Sequence, residues 1–111
     1  MCGIAGILQT YPTAIAPCTL QQLGQSLYHR GPDDYGYLTY SPQTEITVSR
    51  DPDQLPPGNL GLIHRRLSIL DLSTAGWQPM TSQDKRYAIT FNGEIYNYLE
   101  LQQELTNLGY S

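Results

Sequence analysis

The chain has 111 residues, of which 40% are hydrophobic and 14% charged, with a formal net charge of −4 and a pI near 4.8. That is room for one domain at most, and an acidic balance without a basic stripe excludes the footprint of a nucleic-acid or anionic-membrane binder. No apolar run approaches the roughly eighteen residues of a membrane span, and the N-terminus lacks the charged start and long apolar core of a signal peptide, so a cytoplasmic protein with no membrane partner is expected.

The chain opens on Met1-Cys2-Gly3-Ile4-Ala5-Gly6-Ile7-Leu8. Residues 3–8 are apolar on both faces of any strand they form, which predicts a strand covered on both sides. Gln9 to Pro17, with Pro12 and Pro17, is a loop. Thr19 and Gln22 have capping-box spacing, and Leu20, Leu23 and Leu27 repeat on one helical face, which predicts a helix over 19–29. Arg30-Gly31-Pro32-Asp33-Asp34 ends it. Tyr35 to Ser41 and Ile46 to Ser49 read as two strands joined by a turn at Ser41-Pro42-Gln43-Thr44. Asp51 to Asn59, with its prolines and Gly58, is a surface loop.

Leu60 to Leu70 predicts a strand with charge at its middle. Alternation puts His64 and Arg66 on one face and Ile63, Leu67 and Ile69 on the other. Arg65 falls opposite Arg66 and is expected to reach solvent or an acidic partner. Asp71 to Pro79 is an irregular loop carrying the only tryptophan. Tyr87 to Asn92 predicts a further strand ended by Asn92-Gly93. Asn97 and Glu100 repeat the capping-box spacing before a helix whose buried stripe would be Tyr98, Leu101, Leu105 and Leu108, with Gly109 as its stop. The element order is α+β with mainly antiparallel pairing. A chain that ends just past a helix, where a layered fold would return to its sheet, is expected to be a fragment.

Several groups have both a plain and a chemical reading. Cys2 lies in an apolar strand start; if Met1 is removed, its thiol stands beside a free α-amino group whose pKa of about 7.7–8.0 suits a general base. Arg66, costly to bury without an anion, is either a structural ion pair, with Asp71 or Glu94, or a fork for a substrate carboxylate. Asn92-Gly93 is either a tight turn or a pair of donors, side-chain amide and backbone N–H, for an oxyanion. Glu94 beside them suits a substrate ammonium. Asp33 and Asp34 are read as a turn cap rather than a metal site. His29 and His64 stand apart, without the Cys/His spacing of a zinc site, and are read as structural rather than as general bases. Cys2 and Cys18 are read as reduced thiols, Cys18 as a bland core or helix-start residue. No metal is expected.

Four segments together resemble the N-terminal class II glutamine amidotransferase (glutaminase) domain of the glutamine-hydrolysing asparagine synthetases: Met1 to Gly6; His29-Arg30-Gly31-Pro32-Asp33-Asp34-Tyr35-Gly36; His64-Arg65-Arg66-Leu67-Ser68-Ile69-Leu70-Asp71 with Gln78-Pro79-Met80; and Phe91-Asn92-Gly93-Glu94-Ile95-Tyr96-Asn97. The first and last are shared by class II amidotransferases broadly, and the middle pair points to the asparagine-synthetase branch. The resemblance implies an Ntn-hydrolase fold, a four-layer αββα sandwich with antiparallel sheets, of which residues 1–111 would be the N-terminal portion. It implies that Cys2 attacks the glutamine side-chain amide, forming a glutamyl thioester and releasing ammonia. It implies that Arg66 binds the glutamine α-carboxylate with backbone groups near Leu67 and Ile69, that Asn92 and Gly93 form the oxyanion hole, and that Glu94 belongs to the α-amino site.

The family's α-amino site also uses an aspartate in a Ser-Asp-x-Glu segment that would follow the last helix and is absent from the chain. The rest of the glutaminase domain and the C-terminal synthetase domain are absent too. In the parent enzyme that domain would use ATP and Mg2+ to activate aspartate and would receive the ammonia; the glutaminase part itself is expected to need no cofactor. Glutamine and the synthetase domain are the expected partners, with a homodimer as one option for assembly. Two alternatives stay open: an amidotransferase of the same branch with another carboxylate acceptor, and a non-catalytic binding module.

Overall fold

The computed structural model describes residues 2–67 and 76–110. Its main sheet has four antiparallel strands in the order β1 (Gly3–Leu8), β4 (Leu60–Arg66), β2 (Asp34–Ser41), β3 (Glu45–Ser49). A second sheet pairs β5 (Met80–Thr81) with β6 (Ala88–Ile89). Two helices, α1 (Pro17–Ser26) and α2 (Tyr98–Asn107), and a 3-10 turn over Pro52–Gln54 complete the described elements. The fold is therefore α+β with antiparallel sheets, as expected. The β2–β3 hairpin turns where the sequence predicts, with the Ser41 and Thr44 hydroxyls 2.7 Å apart across it.

Strand β4 lies between two neighbours, with Ile4 and Gly36 both opposite His64, and Gly3 and Tyr35 both opposite Arg65. Residues in register share a face, so the sheet has two unlike sides. One carries Gly61, Ile63 and Arg65 with Tyr37 and Ile7. Helix α1 covers this side, and Ile15, Leu20, Tyr37, Leu55 and Ile63 form the core between them. Close approach depends on small residues: a Cβ on Gly24 would strike the Tyr37 hydroxyl, and one on Gly61 would lie 2.7 Å from a Leu20 methyl. The other side carries Leu62, His64 and Arg66 and meets the segment 76–79 and Thr90. A Cβ on Gly36 would lie 2.7 Å from the Trp77 ring, whose indole N–H donates to the Tyr35 carbonyl at 2.9 Å.

Several expectations are corrected. Among the described residues strand β1 is covered on one side only, by α1; Ile4 and Leu8 on the other are 46% and 72% exposed. Helix α1 starts at Pro17, two residues before the predicted capping box, and its N-cap Ala16 makes no side-chain cap. A proline has its φ preset for the first helical position and no N–H to satisfy there, so it opens the helix without Thr19. Cys18 is then an exposed first-turn residue. Strand β6 covers two of the six residues predicted, because its partner β5 is itself only Met80–Thr81. Helix α2 forms where predicted and stops at Gly109 (φ 93°), but Asn97 does not cap it and none of its residues is buried. Strand β4 ends at Arg66, and Ile69, Leu70 and Asp71 lie outside the described residues.

Candidate functional site

The three residues that the start of β1 and the end of β4 bring together are Cys2, Arg66 and Leu67. Gly3 pairs with Arg65, and one further step along that antiparallel register sets Cys2 beside Arg66. The Leu67 amide donates to Cys2 Sγ at 3.4 Å, and the Leu67 carbonyl lies 4.0 Å from the same sulfur. These contacts join residues 65 apart in sequence. Cys2 is half-buried, and its sulfur is held at the strand end by these contacts.

Arg66 is 9% exposed. Its guanidinium lies against Gly76, where a Cβ would come within 2.6 Å of a terminal nitrogen. A side chain at 76 would displace the arginine, so the glycine leaves the fork its room. The Arg66 carbonyl accepts from the Asp33 amide at 3.0 Å, which ties the end of β4 to the turn before β2. Asp71, one suggested partner of Arg66, lies outside the described residues.

Asp34 is more than a turn cap. It opens β2 opposite Arg66 and receives both Nε and a terminal nitrogen of Arg50 at 2.9 Å. The hydrogen bond from Arg50 is the largest influence holding its carboxyl below the usual range; partial burial opposes it, while the Tyr35 amide, the Arg50 charge and Arg66 add to it. Such a fork-to-fork pair fixes geometry as well as charge.

Arg65, expected to reach solvent or an acidic group, is instead 7% exposed on the α1 side. Its Nε donates to the Gly24 carbonyl at 2.8 Å, and the guanidinium lies over the rings of Tyr35 at 4.7 Å and Tyr28 at 5.5 Å. The last turn of α1 has no basic residue of its own. A helix C-terminus carries partial negative charge and orphan carbonyls, and aromatic faces attract a cation. Together these explain a buried arginine that meets no carboxylate among the described residues.

His64, beside Arg66 on the same face, is 1% exposed. Its Nδ1 lies 2.7 Å from the Thr90 hydroxyl, and its buried Nε2 has no hydrogen-bond partner among the described residues. Burial, with the Arg66 charge second, depresses the imidazole pKa, against a smaller opposing effect of Asp34. His29 is exposed.

Asn92, Gly93 and Glu94 are exposed in an irregular segment. No hydrogen bond joins them to Cys2 among the described residues. Asn92-Gly93 is not a tight hairpin turn; the Phe91 ring packs on Gly93, 2.8 Å from where a Cβ would stand. The segment is tied down just upstream, by Thr90 to His64 and by the Phe91 amide donating to Gln78 Oε1 at 2.6 Å. Sequence reasoning missed these tethers and the Leu67–Cys2 contact, because each links stretches with no shared local pattern. Among the described residues, no group of three or more His, Cys, Asp or Glu could hold a metal ion, and no helix is long and apolar enough to cross a membrane.

The structure thus sets a strand-end cysteine beside a buried arginine, and tethers the stretch just before Asn92-Gly93-Glu94 to the same sheet face. A family model described as a glutamine amidotransferase domain matches residues 1–111, and the chain belongs to that family. Among curated proteins it is similar to asparagine synthetase [glutamine-hydrolyzing] 1 of Bacillus subtilis, 39% identical over 100% of this chain and 15% of that protein. It is also similar to asparagine synthetase [glutamine-hydrolyzing] 2 of the same organism, 36% identical over 96% of this chain and 12% of that protein. A third relative, asparagine synthetase [glutamine-hydrolyzing] 2 of Oryza sativa, is 35% identical over 95% of this chain and 15% of its own length. The chain thus spans less than a fifth of each of these three relatives. No solved structure matches it.

Proposed function

We propose that residues 1–111 are the N-terminal part of the glutaminase of a cytoplasmic, glutamine-hydrolysing asparagine synthetase. The observation that carries this reading is the fixed Cys2 sulfur, held by the Leu67 amide at 3.4 Å beside the buried Arg66. With Met1 removed, the α-amine of Cys2 takes the thiol proton, and Sγ attacks the carboxamide carbon of glutamine. The oxyanion so formed accepts from the Asn92 amide and the Gly93 N–H. Collapse expels ammonia, which carries away the proton held by the amine, and leaves a glutamyl thioester. Water then cleaves the thioester to glutamate and restores the thiol. Arg66 holds the α-carboxylate with backbone groups of Leu67 and Ile69, and Glu94 receives the α-ammonium.

In this reading the main sheet is one of two central layers of an αββα sandwich, with α1 outside it. Support comes from its unlike faces, one apolar under α1 and one carrying His64 and Arg66 toward β5 and β6. ATP and Mg2+ would be held by the synthetase domain of the longer protein, which would use the ammonia to amidate aspartate. No residue of this chain is assigned to them.

The test is intact mass and thiol labelling of the full-length protein with a glutamine-mimicking electrophile. Loss of Met1, with a single label on Cys2 that glutamine blocks, is the expected result. Retention of Met1 together with an unreactive Cys2 would overturn the reading in favour of a binding module. Cys2→Ala should abolish glutamine hydrolysis while leaving ammonia-dependent asparagine formation intact.

A further inference from the structure

His64 is a buried imidazole that the mechanism above does not use. At 1% exposure, with Nε2 unpartnered among the described residues, it is a poor choice for stability alone. Burying a polar atom without a hydrogen bond is costly, and an apolar side chain of similar size would avoid the penalty. What the residue has in return is its bond at 2.7 Å from Nδ1 to the Thr90 hydroxyl.

That bond lies at a strategic junction. Thr90 directly follows β6 and stands two residues before Asn92. Strands β5 and β6 are two residues each, and an isolated two-stranded ribbon is marginal by itself. The place of Asn92-Gly93 relative to the main sheet therefore depends on tethers from outside the ribbon. His64 supplies one of them from β4, two residues before Arg66 and on the same face. The bond from the Phe91 amide to Gln78 supplies another.

We infer that His64 is a positioning residue, which through Thr90 holds the Asn92-Gly93 donors in reach of the carbonyl that Cys2 attacks. The inference rests on the glutaminase reading and adds to it a residue that touches neither substrate nor nucleophile. The groups around the imidazole suit a neutral tether: among the described residues, Arg66 on β4 and Asp34 on β2, the latter engaged by Arg50 just past β3, are the charges on its face, while Ile4 of β1, Gly36 of β2 and Thr90 are uncharged. Burial and the Arg66 cation both resist its protonation.

The test uses the full-length protein and three variants. His64→Leu keeps bulk and removes the polar tether, Thr90→Val removes the other partner, and His64→Asn restores a hydrogen-bonding group near the Nδ1 position. A misplaced donor costs on the order of a hundredfold in rate. The expected result is a fall of about 10- to 100-fold in kcat for glutamine hydrolysis in His64→Leu and in Thr90→Val, with KM changed less than about threefold because Arg66 is untouched. The double variant should be no worse than either single one, and His64→Asn should recover most of the rate. Alkylation of Cys2 by a haloacetamide, a displacement that forms no tetrahedral oxyanion, should proceed at the wild-type rate in every variant. Unchanged kcat in His64→Leu would overturn the inference, as would a joint loss of kcat and alkylation, which marks general damage. A wild-type Cys2 that does not react at all would instead sink the glutaminase reading on which it rests.

Discussion

Helices α1 and α2 are each ten residues long and each carries leucines at helical spacing, yet they end in opposite environments. Leu20 of α1 is 1% exposed, whereas Leu101, Leu105 and Leu108 on or beside α2 are 39%, 49% and 70% exposed. The difference lies in what faces them. Helix α1 meets a sheet face with Ile63 and Tyr37 already pointing at it, and Gly24 lets it settle close. No such surface meets α2 among the described residues. An amphipathic stripe shows that a helix has an apolar face; it does not supply the surface that buries it.

The largest effect expected from breaking this comparison is at Leu20. Leu20→Ala should lower the unfolding free energy by about 2–5 kcal/mol in a denaturant titration, the range for a fully buried leucine. Gly24→Ala comes next, at about 1–3 kcal/mol, because the new methyl would meet the Tyr37 hydroxyl.

A pH titration probes the opposite sheet face. The folded-state pKa of His64 is held below its ordinary value of 6.5, so between the two values the unfolded chain binds more protons. The contribution of the neutral imidazole is complete above the unfolded value and is lost as pH falls through the folded one. Stability followed by denaturant midpoint should decline on that acid side, and His64→Leu should flatten the decline.

The smallest effects belong to α2. Leu105→Ala should stay within about 0.5 kcal/mol of the parent chain, as for an exposed site. A loss matching that of Leu20→Ala would show that α2 packs in solution. Asn97→Ala should be equally quiet, since its side chain makes no cap bond.

The two arginines of β4 sharpen the same lesson. Arg65 and Arg66 are neighbours in a strand, and alternation correctly sends them to opposite faces. From charge alone, Arg65 should seek water. It is buried because the α1 C-terminus and two tyrosine rings meet it there. For Arg66, burial was legible from its apolar flanks, but the room left by Gly76 was not. His64 was read as a structural histidine, and nothing local pointed to Thr90. Cys2 and Leu67 are in contact beside Arg66, while Ile69 lies outside the described residues and, among those described, Asn92, Gly93 and Glu94 are tied to the sheet only upstream of themselves.

The sequence by itself determined the kinds and order of the longer elements, though not the two-residue β5 or the 3-10 turn at Pro52–Gln54, because turns, strand alternation and helical spacing are set by neighbours along the chain. It also determined the family, through motifs that lie in four short stretches. Tertiary structure alone decided which apolar stripe is buried, which arginine meets which partner, and how the Leu67 amide reaches the Cys2 sulfur from 65 residues away. Those outcomes depend on surfaces supplied by distant segments, and no local pattern carries them.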